Sequence, residues 1–377
     1  MARIFIIHSS LNPAGGGERV AIEIIKLAKN MGHEVTLITT EPTDWDRIKR
    51  LIPHAVKPDR ERSIFPFKVK MFGIYSRLIT PLGLLGAGKY DLLINTHGDA
   101  LPIVADITYM HFPMFAILEE TPDAAKYSKS LFWRIYFEPY RRIVKYLSKK
   151  YAEKDVLILT NSEFSKNAIK KHVGKKALVV YPPVDVEEFL KAGDNPPNKR
   201  DDRVVACGRF TPEKRYELII EAAEHLSDVE FAIIGARSGK VSPPYISKLR
   251  RIIEEKKLRN VKLLVDYPRS EQLRLYSTSK VFMHAMVGEH FGIAVVEGMA
   301  AGLIPVVHRS GGPWYDIIDR GKYGYGYDTV EEAVEAIEKA LKNYNAMYKQ
   351  VISRAKMFDR RVFAKQMGKI ISKMLSY

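Results

Sequence analysis

The chain has 377 residues, 46% of them hydrophobic and 28% charged, so it can bury more than one core and is predicted to form two domains. Its 60 Lys and Arg residues against 44 Asp and Glu residues give a formal net charge of +16. This charge predicts attraction to polyanions: nucleic acid, anionic membrane or phosphorylated small molecules. A single cysteine, Cys207, excludes an intramolecular disulfide and a thiolate metal cluster, and fits a reducing cytoplasmic compartment.

The first forty residues predict a βαβ unit. MARIFIIHSS has only a short apolar run, so we expect a first strand rather than a secretory signal, and a cytoplasmic protein. GGERVAIEIIKLAKNMG has apolar residues at helical spacing, and HEVTLITT predicts a second strand parallel to the first. The chain has no uncharged apolar stretch long enough to span a bilayer, so a transmembrane helix is not expected.

Further strands are predicted along the rest of the chain, separated by helical segments. They are YDLLINTH, DVLILTNS, DRVVACGRF, VEFAIIGA, VKLLVDYP and KVFMHAMV. This series predicts two successive doubly wound α/β domains. Prolines and mixed charges between residues 181 and 202 place the boundary near Val184, giving domains 1–183 and 184–357. The basic amphipathic segment at 358–377 is predicted to be a helix that crosses back to the first domain.

The loop NPAGGGERV joins the first strand to the first helix. Backbone amides and the helix dipole at Gly15, Gly16 and Gly17 can hold an anion there. The loop lacks the spaced third glycine of the dinucleotide fingerprint and the Gly-Lys-Ser/Thr of a P-loop, so neither a dehydrogenase nor an ATPase is supported. A tight turn without a ligand is the open alternative.

Two cations follow the strand RVVAC, in the segment GRFTPEKR. Arg209 and Lys214 can converge at the carboxyl end of this strand, where a diphosphate would suit them. Together they would offset the charge that develops on a departing nucleoside diphosphate. The alternative is a solvated charged turn.

The stretch GEHFGIAVVEGMAAGLIPVV, residues 288–307, contains two glutamates among small and apolar residues. This pattern predicts an irregular loop that leads into a buried helix. Glu297 can accept hydrogen bonds from two ribose hydroxyls, while Glu289 and the amides of Phe291, Gly292 and Ile293 face a sugar. Two glutamates without function on the surface are the alternative.

The motifs GGGERV, GRFTPEK, EHFGIAVVEGMAAGLIPVV and SGGPWYDI occur in this order over nearly the whole chain. Together they resemble the retaining family 4 glycosyltransferases of α/β GT-B architecture, in which two Rossmann-like doubly wound domains face a cleft. The resemblance implies a nucleotide diphosphate sugar donor, with Arg209 and Lys214 on the diphosphate, Glu297 on the ribose and Glu289 against the transferred sugar. Gly16 and its neighbours in the acceptor-side domain would touch the diphosphate. It implies no cofactor.

Two histidines and one acidic motif complete the candidate residues. The resemblance implies that His111, in YMHFPMF, lies beside the sugar ring, and His97 is a weaker candidate for the same cleft. A core histidine is the alternative for either. The sequence DWD at 44–46 could be mistaken for a metal-binding Asp-x-Asp, but it lies far from the donor motifs. The resemblance implies a metal-independent enzyme whose leaving group is stabilised by cations and helix dipoles.

The extended motif EHFGIAVVEGMAAGLIPVVHRSGGPWYDI, with GGGERV and YMHFP, resembles especially the lipid-linked oligosaccharide α-1,2-mannosyltransferases. This implies a hexosyltransferase that moves mannose from GDP-mannose to a lipid-linked saccharide by front-face substitution. Asp316 departs from the wider family, many of whose members have Glu there. The alternatives are a nucleotide-sugar epimerase or hydrolase of the same fold, or a basic nucleic-acid-binding protein.

The segment from Lys126 to Lys154 contains nine Lys or Arg residues interleaved with aromatic ones. It predicts a helix that lies on an anionic membrane, helped by FPFKVKMFGIYSR at 65–77, so we expect peripheral association with the inner membrane face. The alternative is a core helix with a solvated basic side. A nucleic-acid partner is not expected, since no nucleic-acid recognition motif accompanies the charge.

Overall fold

The computed structural model describes residues 1–68, 73–120 and 130–376. The chain divides into two compact units, the first formed by Met1–Pro183 with Arg360–Tyr377 and the second by Val184–Asp359. Each unit is built on its own parallel sheet with helices. The predicted α/β architecture of two doubly wound units is confirmed.

The sheet of the first unit has seven parallel strands in the order β3-β2-β1-β4-β5-β6-β7. The strands are β1 Arg3–Ile7, β2 Glu34–Thr39, β3 Arg60–Ser63, β4 Leu92–Asn95, β5 Ile107–Tyr109, β6 Leu157–Thr160 and β7 Leu178–Val179. Ile4 of the central strand lies opposite Val35 on one side and Leu92 on the other. The strand order reverses between β1 and β4, and in such sheets ligands bind beyond the carboxyl ends of those two strands.

Helices cover this sheet. They are α1 Gly16–Asn30, α2 Trp45–Leu51, α3 Ser76–Ile79, α4 Ile117–Glu120, α5 Leu131–Glu153 and α6 Glu163–Val173, with 3-10 turns at Gly73–Tyr75, Thr80–Leu84 and Met114–Ala116. α1 buries Val20 and Ile24, one helical turn apart, in the core that also contains Ile4 and Ile6 of β1. This packing sets the N-terminus of α1 just beyond the carboxyl end of β1.

The second unit repeats the design with six parallel strands in the order β10-β9-β8-β11-β12-β13. The strands are β8 Asp201–Cys207, β9 Glu230–Gly235, β10 Val261–Val265, β11 Ser279–His284, β12 Ile304–His308 and β13 Tyr325–Tyr327. Here the order reverses between β8 and β11, so their carboxyl ends form the corresponding ligand position.

The helices of the second unit are α7 Val186–Gly193, α8 Tyr216–His225, α9 Ser242–Glu255, α10 Arg269–Ser277, α11 Ile293–Ala300, α12 Val330–Lys342 and α13 Tyr344–Ala355. Short 3-10 turns occur at Pro197–Lys199, Pro212–Lys214, Gly239–Val241 and Lys356–Phe358, and a π turn at Pro313–Ile317. The predicted loop followed by a buried helix at 288–307 is confirmed as far as α11, whose residues Val295–Ala300 are all buried. Gly302, in the left-handed region, then turns the chain into β12. This strand was not predicted from the sequence.

The last helix, α14 Arg360–Leu375, packs on the first unit. Phe363, Met367 and Ile371, each four residues apart, are buried in the core that also holds Val20 and Ile24 of α1. Four-residue spacing places these side chains on one face of the helix, so burial of that face attaches α14 to the first unit.

The aromatic residues of α5 divide between the interior and the surface, so only some of them are available to contact a membrane. Phe137 and Tyr140 are buried, and Trp133 and Tyr136 are half-buried. Phe132 and Tyr146 are exposed. The predicted segments also include residues 126–129 and 69–72, which lie outside the described residues.

Candidate functional site

The second unit brings two predicted site residues into contact beyond the carboxyl ends of β8 and β11. Lys214 ends the 3-10 turn that follows β8, and Glu289 lies in the loop after β11. The Lys214 Nζ atom is 2.6 Å from the Glu289 Oε2 atom. His284, the last residue of β11, places its Nε2 atom 3.5 Å from the same oxygen. A lysine, a carboxylate and an imidazole thus converge at the ligand position of this sheet.

The charge of Glu289 is maintained by its neighbours. Burial would raise the pKa of this carboxyl, but the charge of Lys214 and the hydrogen bond from His284 outweigh it and hold the pKa well below its usual range. Burial also lowers the pKa of His284, although Glu289 opposes this change. The Lys214 and Glu289 side chains remain 17% and 19% exposed, so a ligand can reach them. The site presents a carboxylate beside a cation.

Three glycines position the loop that carries Glu289. The Gly312 N–H donates to the Glu289 carbonyl oxygen at 2.8 Å, and the Gly288 N–H donates to the Ser310 hydroxyl at 2.9 Å. A Cβ atom on Gly311 would collide with the backbone of Glu289, and Gly311 has a φ of +68° that favours glycine. The glycines of the motif SGGPW therefore let its loop pack backbone against backbone on the loop that carries Glu289. This packing fixes the position of Glu289.

The predicted sugar-facing amides lie at the start of α11. Gly292 precedes the helix with a φ of +106°, and its Cβ position is filled by Pro313. Phe291 is buried with its ring 5.6 Å from that of Phe358, so its backbone rather than its ring can face a ligand. Ile293 is the first, half-buried, residue of the helix. The predicted contact of these amides with a sugar remains a prediction.

Glu297 lies one turn into α11 and is buried. The Arg269 Nη2 atom is 3.7 Å from its Oε1 atom, and Arg269 also donates to both carboxylate oxygens of Glu188, at 2.9 and 2.7 Å. The Arg269 guanidinium lies over the Phe189 ring, 4.3 Å from its centroid, which restricts its position. The carboxylate predicted to bind a ribose therefore rests against a fixed cation.

Arg209 follows β8 with an exposed side chain, whereas Lys214 is held by Glu289. The two predicted diphosphate-binding cations thus differ: one is positioned by an ion pair and the other extends into solvent.

Asp316, the residue that departs from the wider family, is buried in the π turn Pro313–Ile317. Its position in this turn indicates a structural role.

The first unit has a second group of polar residues, beyond the carboxyl ends of β1 and β4. They line a pocket of about 660 Å³ whose walls include His8, Gly17, Glu18, His97, His111 and Trp133. His111, predicted to lie beside a sugar, and His97, the weaker candidate, are both in this pocket. His111 packs between two glycines: a Cβ on Gly17 would lie 3.0 Å from its Nε2 atom, and one on Gly98 would lie 2.5 Å from its Cδ2 atom.

The predicted anion-binding glycine loop already receives a carboxylate from its own helix. The Gly15 N–H donates to the Glu18 Oε2 atom at 2.7 Å, while Glu18 Oε1 lies 3.7 Å from His8 Nε2. Gly16 is exposed as the first residue of α1. A phosphate at this helix N-terminus would have to share it with the Glu18 charge. The predicted contact of Gly15, Gly16 and Gly17 with a diphosphate remains a prediction.

The acidic motif at 44–46 has a structural role. The Asp44 carboxylate caps α2 by accepting from the Arg47 N–H at 3.1 Å, and it pairs with Lys68 at 3.1 Å. Within residues 1–68, 73–120 and 130–376, no group of three or more His, Cys, Asp or Glu side chains could hold a metal ion. In the same residues no helix is both long and apolar enough to cross a bilayer.

Four residues of these two sites were not identified as candidates from the sequence: His8, Glu18, Arg269 and His284. His284 ends β11 and His8 directly follows β1, so the rule that ligands bind beyond carboxyl ends of strands would have indicated both. Glu18 lies inside the motif GGGERV, three residues after the helix cap, the position of a capping carboxylate. Arg269 has no comparable local signal.

Two protein-family models together match most of the chain. Residues 14–188 match the family described as Glycosyltransferase Family 4, and residues 186–358 match Glycosyl transferases group 1. The chain is 27% identical over 362 residues to a GDP-Man:Man(3)GlcNAc(2)-PP-Dol alpha-1,2-mannosyltransferase of Kluyveromyces lactis, covering 82% of this chain and 62% of the relative. The enzyme of that name from Homo sapiens is 33% identical over 178 residues, covering 43% and 36%. The chain thus spans less than two thirds of the length of these curated relatives.

Solved structures share the fold at low sequence identity. Sucrose-phosphate synthase of Thermosynechococcus elongatus has a TM-score of 0.76 at 15% identity, with both chains fully covered. Anabaena HepE in complex with UDP and glucose has a TM-score of 0.70 at 16% identity, covering 99% of this chain and 100% of that one. WaaG, a glycosyltransferase involved in lipopolysaccharide biosynthesis, has a TM-score of 0.69 at 16% identity, covering 98% and 99%.

Proposed function

Since the chain belongs to the GT-B glycosyltransferases, with a Glycosyltransferase Family 4 domain and a Glycosyl transferases group 1 domain, we propose that it transfers mannose from GDP-mannose to a lipid-linked saccharide. The observation that carries this proposal is the similarity to GDP-mannose-dependent α-1,2-mannosyltransferases over 82% of this chain. That similarity extends through both domains, so it includes more than a shared nucleotide-binding fold.

The geometry of the second unit supports a nucleotide diphosphate leaving group. Lys214 lies at the ligand position of the sheet and would exchange part of its contact with Glu289 for phosphate oxygens when a donor binds. Arg209, exposed in the same loop, can swing toward the second phosphate. Both cations would stabilise negative charge that grows as the glycosidic bond breaks, which lowers the barrier to transfer.

The remaining contacts follow from the positions of the carboxylates. Glu289 would hold a hydroxyl of the transferred mannose, because its carboxylate stays charged and partly accessible. Glu297, steadied by Arg269, would accept from the ribose hydroxyls. We propose a retaining, front-face substitution without a protein nucleophile or metal ion. The departing diphosphate takes the acceptor proton, so no side chain needs to act as a base.

An exposed face of α5 supports attachment to a membrane surface. Leu131, Ile135, Ile143 and Tyr146, with Phe132 beside them, are exposed although apolar, and their spacing places them along one side of the helix. The opposite side is buried in the core. Arg142, Lys145, Lys149 and Lys150 are exposed along the same helix. Apolar insertion combined with basic charge suits an anionic lipid surface, and we propose peripheral binding at its cytoplasmic face.

Donor use tests this function. The purified protein should consume GDP-mannose only when a Man(3)GlcNAc(2)-diphosphate lipid is present, and should use UDP-glucose poorly under the same conditions. Consumption that does not depend on the lipid would instead favour the hydrolase or epimerase alternative. Strong salt-dependent oligonucleotide binding without sugar consumption would favour the nucleic-acid alternative. The names of the relatives support neither alternative.

A further inference from the structure

The Glu289 carboxylate is held through one of its two oxygens. The Lys214 Nζ atom lies 2.6 Å from Oε2, and the His284 Nε2 atom lies 3.5 Å from the same oxygen. In the described part of the chain, no hydrogen bond or ion pair reaches the other oxygen, Oε1. Because the side chain is half-buried rather than enclosed, Oε1 can accept a hydrogen bond from a ligand hydroxyl.

His284 is a rigid support for the inner oxygen. Its side chain is 5% exposed, and as the last residue of β11 it pairs with Val307 of β12. The Tyr327 hydroxyl donates to the His284 carbonyl oxygen at 3.1 Å. Because close-packed neighbours and the sheet pairing fix both its ring and its backbone, His284 cannot move aside when a ligand binds.

The His284 ring is a neutral hydrogen-bond donor. Burial lowers its pKa, and the charge of Lys214 lowers it too, although Glu289 opposes both effects. Nε2 faces the Glu289 carboxylate, which can only accept, so the single ring proton is on Nε2. Nδ1 is buried and has no hydrogen-bond partner among the residues that the structure describes. A proton there would be a buried donor without an acceptor, which disfavours the other tautomer and the imidazolium ion.

A bound donor would act differently on the two supports of Glu289. Lys214 is a point charge on a flexible stem, and in the proposed function it exchanges part of its contact with Glu289 for phosphate oxygens. The neutral ring of His284 is fixed in the sheet, so a diphosphate does not draw it away from the carboxylate. Its contact of 3.5 Å is long for a hydrogen bond, and contacts of this kind tighten when a ligand binds.

We propose that His284 is a positioning residue for the transferred sugar. Its Nε2–H holds Oε2 of Glu289 in the donor complex and thereby keeps Oε1 directed at a sugar hydroxyl. The proposal rests on the proposed function, in which Glu289 contacts the sugar and Lys214 contacts the diphosphate. His284 acts through Glu289 and touches neither substrate, so its effect is confined to ligands that carry the sugar.

A role of His284 in packing alone leads to a different expectation. Loss of packing at the end of β11 would weaken the binding of every ligand of the second unit, including GDP, which lacks the transferred sugar. Loss of positioning would weaken the binding of GDP-mannose and leave that of GDP unchanged. The ratio of the two dissociation constants therefore separates the two roles.

Isothermal titration calorimetry of matched amide variants, without acceptor, measures this ratio. His284→Gln places an amide N–H near the former Nε2 position, whereas His284→Asn places it near Nδ1, where the described residues offer no acceptor. We expect the ratio of the GDP-mannose to the GDP dissociation constant to rise roughly tenfold in His284→Asn. His284→Gln should keep a ratio close to that of the wild type. A wild-type ratio in His284→Asn, or an equal rise in both variants, overturns the proposal.

The control is His225→Asn, the same change at an exposed position at the end of α8 in the same unit, which should leave both dissociation constants unchanged. A double-mutant cycle tests whether His284 acts through Glu289. In a Glu289→Ala background, His284→Asn should change the ratio no further, because the carboxylate that it positions is absent. Additive effects of the two changes would overturn the proposal.

Nitrogen-15 NMR of wild-type protein labelled at histidine gives a test that does not depend on variant folding. At neutral pH the His284 ring, assigned by the loss of its signals in His284→Gln, should be neutral and protonated at Nε2, with and without GDP-mannose. A ring protonated at Nδ1 alone, or at both nitrogens, would overturn the proposal.

Failure of the proposed function gives a distinguishable result. The calorimetric ratio requires no transfer, so a protein that transfers no mannose can still show the His284 effect. If Glu289→Ala leaves the ratio at its wild-type value, the proposed sugar contact of Glu289 fails and the role of His284 fails with it. If Glu289→Ala raises the ratio and His284→Asn does not, the sugar contact stands and the positioning role alone is overturned.

Discussion

The Lys214 ammonium lies 2.6 Å from the Glu289 carboxylate, although 75 residues separate them in the chain. The contact exists because β8 and β11 are neighbours in the sheet, so the loops after these strands meet. The pair keeps a cation at the ligand position without leaving its charge uncompensated before a donor binds. Lys214 and Glu289 each lead to one prediction.

Lys214→Ala should lower kcat about 100-fold or more, since in the proposed mechanism the lysine would face charge that develops only as the donor bond breaks. Steady-state kinetics with GDP-mannose measure the effect, and circular dichroism confirms folding. Lys248→Ala is the control, because Lys248 also pairs with a glutamate, Glu217 at 2.8 Å, in the same unit. A Lys214→Ala enzyme with wild-type kcat would remove this lysine from the leaving-group site.

Glu289→Gln should change the pH dependence of stability. Because the folded-state pKa of Glu289 lies well below its ordinary 4.5, its charged form stabilises the native protein above that pH, and this contribution is lost as the pH falls through the folded-state pKa. Thermal unfolding midpoints of wild type and variant should therefore differ most at neutral pH and converge in acid. A difference between the two unfolding midpoints that grows as the pH is lowered from neutral would show that the charged form of Glu289 does not stabilise the native protein.

Glu297→Gln should weaken binding of GDP roughly tenfold, because a neutral amide accepts more weakly from ribose hydroxyls than a charged carboxylate does. Isothermal titration calorimetry gives the dissociation constant directly. Glu188→Gln is the comparison, since Glu188 shares Arg269 with Glu297 but lies on α7. Wild-type affinity in Glu297→Gln, or an equal loss in both variants, would count against a ribose contact by Glu297.

The double variant Ile135→Ser/Ile143→Ser should bind less to liposomes that contain anionic lipid, because it removes two exposed apolar side chains from α5. Flotation of protein with liposomes measures the bound fraction. Leu51→Ser/Leu178→Ser, which changes two exposed leucines on other elements of the same unit, is the matched control. Glutamate substitutions at Arg141 and Arg142 are less informative, since both arginines bind Glu138 at 2.7 Å. Equal flotation of both double variants would reject α5 as the membrane-binding helix.

The fold was predictable wherever a strand is a continuous apolar run, as in RIFII and FAIIG, because strands buried on both faces of a parallel sheet have this pattern. β3 escaped prediction because its sequence, RERS, is charged and lies at a sheet edge. β12 escaped because IPVVH continues the apolar sequence of α11, and only the left-handed Gly302 separates the two elements. Strand order cannot be read from such local patterns.

The candidate site was predictable one residue at a time but not as an arrangement. Lys214 and Glu289 were identified from their motifs, whereas their ion pair depends on the adjacency of β8 and β11. The same holds for His8 and Glu18, which meet only because α1 packs beside the end of β1. Long-range pairs of this kind require the sheet topology, which the sequence pattern leaves undetermined.

The most direct test of the proposed function is the structure of the product. Wild-type protein is incubated with GDP-mannose, a Man(3)GlcNAc(2)-diphosphate lipid and EDTA, and the extended saccharide is analysed by NMR. A single added mannose in α linkage, with its C1 joined to O2 of the acceptor mannose, is the predicted result. A β linkage would contradict the retaining mechanism, and activity restored only by manganese or magnesium would contradict metal independence. No saccharide product under any of these conditions would contradict the function itself.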